Sequence, residues 1–368
     1  MRIGLDLRML GGGSGISRYI SELSHEILRQ DKTNQYVLFF KGTDESADYR
    51  KYGHKMVIAD IPHYSFAEQF KLPKILKKEQ LDLVHFPHFN VPIFYRRPFV
   101  VTIHDLTHTR FPGRKKSHLF HRLAYNLVLF NAIKKAKKII AVSQSTKNEL
   151  KEFFQIPDEK IQVIYEGASE SYKVMDKQEA FQQISNRYGV TKQYILYVGV
   201  WRRYKNLPNL AQAFSNLIDR GLDYQLILAG EPDPFYPDIK KKALAVKHAD
   251  KIICPGRIRE QDMQALYNAA SLFVLPSKAE GFGLTALEAA SCGIPIACSD
   301  IPTLREVLGQ AAEYFDPENL ENMTDILESL LNNPKRQEEL ANLALSRSKH
   351  FSWKKAAEET IKLYEQAP

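Results

Sequence analysis

A chain of 368 residues that is 44% hydrophobic and 26% charged has the make-up of an ordinary globular protein, so disorder is excluded, and its length predicts two domains rather than one core. The opening MRIGLDLRML, with Asp6 and few apolar residues, is not expected to act as a signal peptide, and no run of about 18 uncharged apolar residues predicts a membrane-spanning helix. The net charge of +8 is unevenly placed: residues 1–170 hold 27 Lys and Arg against 18 Asp and Glu, and the remainder holds 24 against 25.

The excess is concentrated at Lys71, Lys74, Lys77 and Lys78, at Arg114, Lys115 and Lys116, and at Lys134, Lys135, Lys137 and Lys138. Such a face attracts nucleic acid, anionic lipid headgroups or an acidic substrate, or is simply solvated. Nine of the eleven histidines fall in the same half. Cys254, Cys292 and Cys298 form no C-x-x-C pair and read as small buried residues of a reducing compartment.

In chain order, short apolar runs alternate with longer stretches of helical spacing. The first half has RIGLDLRM, QYVLFFK, LDLVHFP, FVVTIHD, KKIIAVS and IQVIYEG; the second has YILYVGV, YQLILAG, KIICPG, SLFVLPS, PIACSD and AEYFDP. Strand–helix alternation predicts parallel sheets covered on both faces, and two such series predict two doubly wound α/β domains. The polar segment between Gly167 and Lys192 is where the boundary is expected. The expected division is 1–170, 171–350 and a terminal amphipathic helix, 351–368, packing back toward the first domain.

Four segments carry residues suited to chemistry. GGGSGISRYI follows the first strand; glycines at a strand–helix turn let backbone amides approach a phosphate, or merely make a tight turn. FVVTIHD delivers His104 and Asp105 at a strand end, where a histidine serves as general base, bonds a polar substrate, or bonds a carbonyl structurally. YVGVWRRYKNLPNL places Arg202, Arg203 and Lys205 just before a helix that opens near Asn206, with Pro208 in its first turn. Cations there suit a pyrophosphate, although Arg-Arg-x-Lys is also a common surface sequence.

The fourth segment, SLFVLPSKAEGFGLTALEAASCG, reads as a buried strand, a glycine turn and an Ala/Leu-rich helix stopped by Gly293. The amides of Gly283, Leu284 and Thr285 at the helix start suit a phosphate. Glu288, one turn further in, is flanked by Ala286, Leu287, Ala289 and Ala290. A carboxylate in that setting is costly without a partner, which favours a hydroxyl-bearing one such as a ribose. Glu280 sits on the turn, placed for the hydroxyls or reacting carbon of a sugar.

The string Glu280 to Glu288, E-G-F-G-L-T-A-L-E, resembles the E-x7-E signature of retaining glycosyltransferases of the GT-B fold, and more narrowly of glycosyltransferase family 4. GSGISRY, TIHDL, AVSQSTKNEL, YVGVWRRYKNL and the run LPSKAEGFGLTALEAASCGIPIACSDIPTLREVLGQAAEYFDPEN are similar to successive motifs of that family, in order and over nearly the whole chain. The resemblance implies two Rossmann-like domains facing each other across a cleft, the first for the acceptor and the second for a nucleotide-sugar donor.

It implies that Glu288 binds the ribose and that Glu280 contacts the donor sugar. Gly281, Phe282, Gly283 and Leu284 lie along the phosphates. Arg202 and Lys205 neutralise the leaving diphosphate, His104 bonds the transferred sugar, Gly13 and Gly15 approach the phosphates, and Ile258 meets the nucleobase. Many members carry Arg where this chain has Val200, so Arg202 or Arg203 must supply that charge.

No Asp-x-Asp occurs near these motifs, so the resemblance implies a metal-independent reaction with no cofactor, the nucleotide sugar being a substrate. Mannosyltransferase-like members are the nearest in pattern, which makes GDP-mannose the first donor expected and a UDP-sugar the next. The expected partners are the donor, a glycan or lipid-linked glycan acceptor, and an anionic membrane surface met by the basic first domain, including the apolar stretch LAYNLVLF. The expected place is the cytoplasm, peripheral to the membrane. A nucleotide-sugar epimerase or phosphorylase is a second class. A nucleic-acid-binding protein is a third, but the basic residues lack the aromatic interleaving of a single-strand platform, and no nucleic acid is expected.

Overall fold

The computed structural model describes residues 1–12, 15–111 and 119–367. They form two compact units, residues 1–167 with 352–368, and residues 168–351.

In the first unit the strands are β1 (Arg2–Asp6), β2 (Gln35–Phe40), β3 (Lys55–Ile58), β4 (Leu83–Phe86), β5 (Phe99–Ile103), β6 (Lys138–Ala141) and β7 (Ile161–Val163). Its helices include α1 (Gly15–Gln30), α2 (Phe66–Lys78), α3 (Thr107–Arg110), α4 (Leu119–Lys135) and α5 (Gln144–Phe154). The sheet order is β3-β2-β1-β4-β5-β6-β7, parallel at every pairing. Strand order therefore reverses between β1 and β4. β4 and β5 are buried at every residue, as strands covered on both faces must be. The strand KMVI, β3, was not legible as one: it lies on the sheet edge, and none of its four residues is fully buried.

The second unit runs through α6 (Lys177–Tyr188), β8 (Tyr194–Val198), α7 (Leu207–Asp219), β9 (Gln225–Ala229), α8 (Pro237–Ala243), β10 (Ile252–Gly256), α9 (Glu260–Asn268) and β11 (Leu272–Leu275). It continues through α10 (Leu284–Ser291), β12 (Ile296–Ser299), α11 (Pro302–Leu308), β13 (Glu313–Phe315), α12 (Leu320–Leu331) and α13 (Pro334–Ser348). Its parallel sheet has the order β10-β9-β8-β11-β12-β13, reversing between β8 and β11. Cys292 and Cys298 are buried here and Cys254 is half-buried; burial pushes the Cys292 thiol up to about 12, so it stays protonated.

The last helix, α14 (Trp353–Glu365), belongs to the first unit. A polar chain inside that unit pins it. The hydroxyls of Tyr19 and Thr102 are 3.0 Å apart, His85 Nε2 is 2.9 Å from the Thr102 hydroxyl, and His85 Nδ1 is 2.7 Å from the Tyr364 hydroxyl. Trp353 packs edge-on to Tyr19, and Gly167 passes so close that a Cβ there would sit 2.3 Å from the Trp353 amide nitrogen. No helix among the described residues is long and apolar enough to cross a membrane.

Candidate functional site

Open α/β sheets place ligands beyond the carboxyl ends of their strands, where the strand order reverses. In the second unit that point lies beyond β8 and β11. The loop after β8 begins at Gly199 and passes under the loop after β9. A Cβ on Gly230, whose φ is +124°, would lie 2.0 Å from the Gly199 carbonyl oxygen, so only glycine permits this crossing. Trp201 is fully buried beyond it and anchors the loop. Arg202 Nε donates to Asp233 Oδ2 at 3.0 Å. Arg203 lies over the ring of Tyr236 and has no carboxylate at ion-pair distance among the described residues. Asn206, at φ +59°, turns the chain into α7.

Two contacts fasten this loop to the one after β11. Lys205 Nζ donates to Glu280 Oε1 at 2.6 Å, and the Lys278 amide donates to the Tyr204 carbonyl at 2.7 Å. Burial by itself would lower the Lys205 ammonium; the Glu280 carboxylate beside it wins and holds it above the usual lysine range. The Thr303 hydroxyl donates to the Glu280 carbonyl at 2.9 Å, which fixes the turn. Phe282 is buried edge-on to Phe351.

Gly283 stands at φ +94°, and a Cβ there would meet Leu304 at 2.9 Å. Leu284 opens α10 directly after it, and no side chain caps that helix start. The Ala286 amide is taken by the Gly283 carbonyl at 2.9 Å; those of Leu284 and Thr285 point out of the helix start, where its dipole favours an anion. Gly281 lies in the turn between Glu280 and Phe282. Glu288 is 2% exposed, and the Tyr267 hydroxyl donates to its Oε2 at 2.8 Å. The hydroxyl-bearing partner that a buried carboxylate requires is thus in part supplied by the protein itself. Ile258, 8% exposed, follows β10 past Gly256 at φ +75°.

In the first unit the corresponding reversal lies beyond β1 and β4. Gly13 falls outside the described residues; Gly15 is the first residue of α1. His104 follows β5. Its Nε2 donates to the Pro87 carbonyl at 2.9 Å, and its Nδ1 lies 3.2 Å from Glu166 Oε1. Burial alone would make this ring less basic, but the Glu166 carboxylate raises it. With both ring nitrogens turned to acceptors, the imidazole carries two protons whenever Glu166 is ionised, and as placed it offers no lone pair for general-base work.

Sequence reasoning missed the polar cluster next to it. Arg8 is 2% exposed and clamps Asp6 through Nε and Nη2, each bond 2.8 Å. Its Nη2 also donates to Glu68 Oε1 at 2.8 Å, and Asn90 Nδ2 donates to Glu68 Oε2 at 2.8 Å. Arg8 Nη1 has no partner among the described residues. Asp6, Arg8, Met9, His63, Pro87, His88 and Asn90 line a cavity here, and the His88 ring stacks 6.4 Å from that of His104. In sequence, Ser65-x-x-Glu68 reads as a capping box, and Ser65 does accept from the Glu68 amide at 3.2 Å. The Glu68 carboxylate reaches back to the helix start, accepting from the Tyr64 amide at 2.8 Å, but it also turns inward to Arg8 and Asn90, which no local pattern signals. Glu166, Asp233 and Tyr267 were missed for the same reason: their partners lie far away in the chain.

Residues 13–171 match the family model Glycosyltransferase Family 4, and residues 176–347 match that of Glycosyl transferases group 1. O-antigen chain mannosyltransferase B of Escherichia coli is 31% identical over 373 residues, covering 95% of this chain and 96% of that protein. Among solved structures, sucrose-phosphate synthase of Thermosynechococcus elongatus superposes with a TM-score of 0.81 at 19% identity, covering 100% of this chain and 98% of that one. Alr3699/HepE of Anabaena, solved in complex with UDP-glucose, gives 0.79 at 15% identity, covering 99% of each. At such identities the structural likeness speaks for the fold alone. The chain belongs to glycosyltransferase family 4 and has two parallel-sheet α/β domains of the GT-B type. It is an enzyme, a hexosyltransferase.

Proposed function

We propose that this enzyme is a retaining, metal-independent mannosyltransferase that moves mannose from GDP-mannose to a hydroxyl of a glycan or lipid-linked glycan. It works in the cytoplasm, at the face of an anionic membrane. The observation that carries the reading is the ion pair of Lys205 with Glu280 beside the uncapped start of α10, at the strand-order reversal of the second unit. The name of the Escherichia coli relative supports mannose as the sugar.

In the reaction the acceptor hydroxyl oxygen bonds to the anomeric carbon, whose bond to the diphosphate oxygen breaks. The electron pair leaves on the nucleoside diphosphate, and the hydroxyl proton passes to a phosphate oxygen. Negative charge grows on the departing oxygen. Lys205, Arg202, Arg203 and the α10 amides stabilise that charge more in the transition state than in the ground state. Gly281, Phe282, Gly283 and Leu284 follow the diphosphate. Glu288 takes ribose hydroxyls, Ile258 borders the base, and Glu280 orients the sugar. His104 bonds a sugar hydroxyl by turning one of its N–H groups away from Pro87 or Glu166 as the donor binds, and Gly15 approaches the phosphates.

A thermal-shift panel with GDP, UDP, ADP and their common sugars tests the donor. A ligand at about 100 times its dissociation constant adds roughly 2.7 kcal/mol. GDP and GDP-mannose should raise Tm in the wild type and not in Glu288→Ala. A response to UDP-sugars only would replace the donor with the UDP alternative, and silence to every nucleotide would remove the reading.

A further inference from the structure

The outer surface of the first unit carries large apolar side chains with nothing over them. Phe66 is 89% exposed, Phe70 55% and Phe94 47%; on α4, Leu123 is 55%, Leu127 56% and Phe130 50% exposed. The two helices lie on one face of the sheet. Leu72 and Leu76 of α2, and Leu129, Ala132 and Ile133 of α4, share one core cluster with Val84, Phe86, Phe99 and Val101.

The segment 91–98 joins the two exposed faces. The Ile93 amide donates to Gln69 Oε1 of α2 at 2.7 Å, and Lys135 at the end of α4 donates to the Ile93 carbonyl at 2.8 Å. The ring of Phe94 then packs 4.8 Å from that of Phe70. Phe66, Phe70 and Phe94 thus form one apolar strip, and Ile93 ties the segment that carries Phe94 to the end of α4. In the sequence only the α4 stretch stood out as apolar.

The strip has one sign of charge. Lys71, Lys74 and Lys78 of α2, Arg96 and Arg97 of the joining segment, and Lys134 of α4 are all exposed. Across α2, α4 and residues 91–98 the sequence has a single acid, Glu68, and that carboxylate is buried against Arg8. A second copy of the chain would set like charges against each other, which argues against self-association through this face. Exposed aromatic and aliphatic side chains flanked by lysine and arginine fit the boundary between headgroups and acyl chains of an anionic bilayer.

We propose that α2, α4 and residues 91–98 form a membrane-docking surface whose partner is an anionic lipid bilayer. The inference deepens the reading of a lipid-linked acceptor and rests on it for its purpose, though not for the binding itself.

The test is flotation of the full chain with vesicles of phosphatidylcholine alone or mixed with phosphatidylglycerol. The wild type should float with the mixed vesicles and stay behind with phosphatidylcholine. Phe66→Ser/Phe70→Ser and Lys71→Glu/Lys74→Glu should each lose about tenfold or more of that partition. Leu343→Ser, on an exposed apolar residue of the second unit, should lose none. Cooperative thermal unfolding near the wild-type Tm checks that every variant is folded, and the thermal shift given by GDP reads the donor site separately. A wild type that ignores both vesicles, or double variants that float unchanged, would overturn the proposal. So would a wild-type dimer in light scattering that Phe66→Ser/Phe70→Ser dissolves, because the surface would then belong to a second copy. Flotation without any response to GDP would leave the docking surface standing and remove the donor reading instead.

Discussion

The two units solve the same problem by different means. At the strand-order reversal of the second unit, the site is built from backbone: Gly199 under Gly230, Gly283 in a left-handed turn, an uncapped helix start, and one tight ion pair, Lys205 with Glu280. At the reversal of the first unit it is built from buried side chains. Arg8, Asp6, Glu68 and Asn90 form one network, and His104 with Glu166 forms another. The individual turns of the first kind are specified by residues adjacent in sequence, although the contacts that join them, Gly199 with Gly230 and Lys205 with Glu280, are not. The second kind rests mainly on partners that arrive from other elements, Glu68 and Asn90 on Arg8 and Glu166 on His104, each of which must satisfy the other.

The same contrast appears within one sheet. His85 and His104 follow or sit on neighbouring strands, yet shift in opposite directions. His85 is buried between two hydroxyls and is pushed down to about 3, so it stays neutral. His104 is equally enclosed but faces a carboxylate and a carbonyl, and is raised. Burial lowers both rings; at His104 the Glu166 carboxylate reverses it, and at His85 no carboxylate does.

The comparison can be broken most directly at the ion pair. Lys205→Ala should cut the rate of sugar transfer by a hundredfold to a thousandfold, roughly 3–4 kcal/mol of barrier, with little change in fold. Steady-state kinetics would show it, and a variant with near-normal kcat would remove Lys205 from the machinery. Next comes Gly230→Ala, which forces a Cβ into the Gly199 carbonyl and should cost roughly 3 kcal/mol through overpacking and strain. An unchanged Tm would show that the crossing loops relax freely.

A smaller loss, about 1.5–3 kcal/mol, is expected for Tyr267→Phe, because the buried Glu288 carboxylate loses a donor. Urea unfolding measures it. If GDP restores the lost stability more than it stabilises the wild type, ribose hydroxyls are taking over the same oxygen.

For His85 the sign of the pH effect follows from its depressed value. Between about pH 6.5 and pH 3 the unfolded chain binds a proton that the folded one refuses. This residue's contribution therefore falls as pH drops through that window, by up to about 1.4 kcal/mol per unit. His85→Gln should flatten that slope in urea unfolding followed from neutral pH downward. In the other direction, Glu166→Gln should lower the His104 pKa toward neutral chemistry, seen in the imidazole nitrogen resonances. A His104 signal that does not move would separate the pair.

Much of this was legible in the sequence because its signals are local. Buried runs such as FVVTI and LFVL announce parallel strands, and their alternation with helical stretches sufficed for two doubly wound sheets. KMVI did not announce itself, since an edge strand with exposed residues lacks the apolar run. Lys205 and Glu280 were each visible from a motif, but their 2.6 Å contact joins residues 75 positions apart and was not.

What the sequence determined by itself was the class of fold and the placing of glycines and carboxylates at strand ends, because these follow from period, turn chemistry and spacing along the chain; the family came from the resemblance of its motifs. Only the tertiary structure decided which charges meet. It set Glu68 against Arg8, gave Glu288 the hydroxyl of Tyr267, and set Glu166 against His104. It also left Phe66 and Phe70 bare beside lysines. Pairing and exposure are properties of distance in space, and a linear spacing rule carries no information about a partner that arrives from another strand.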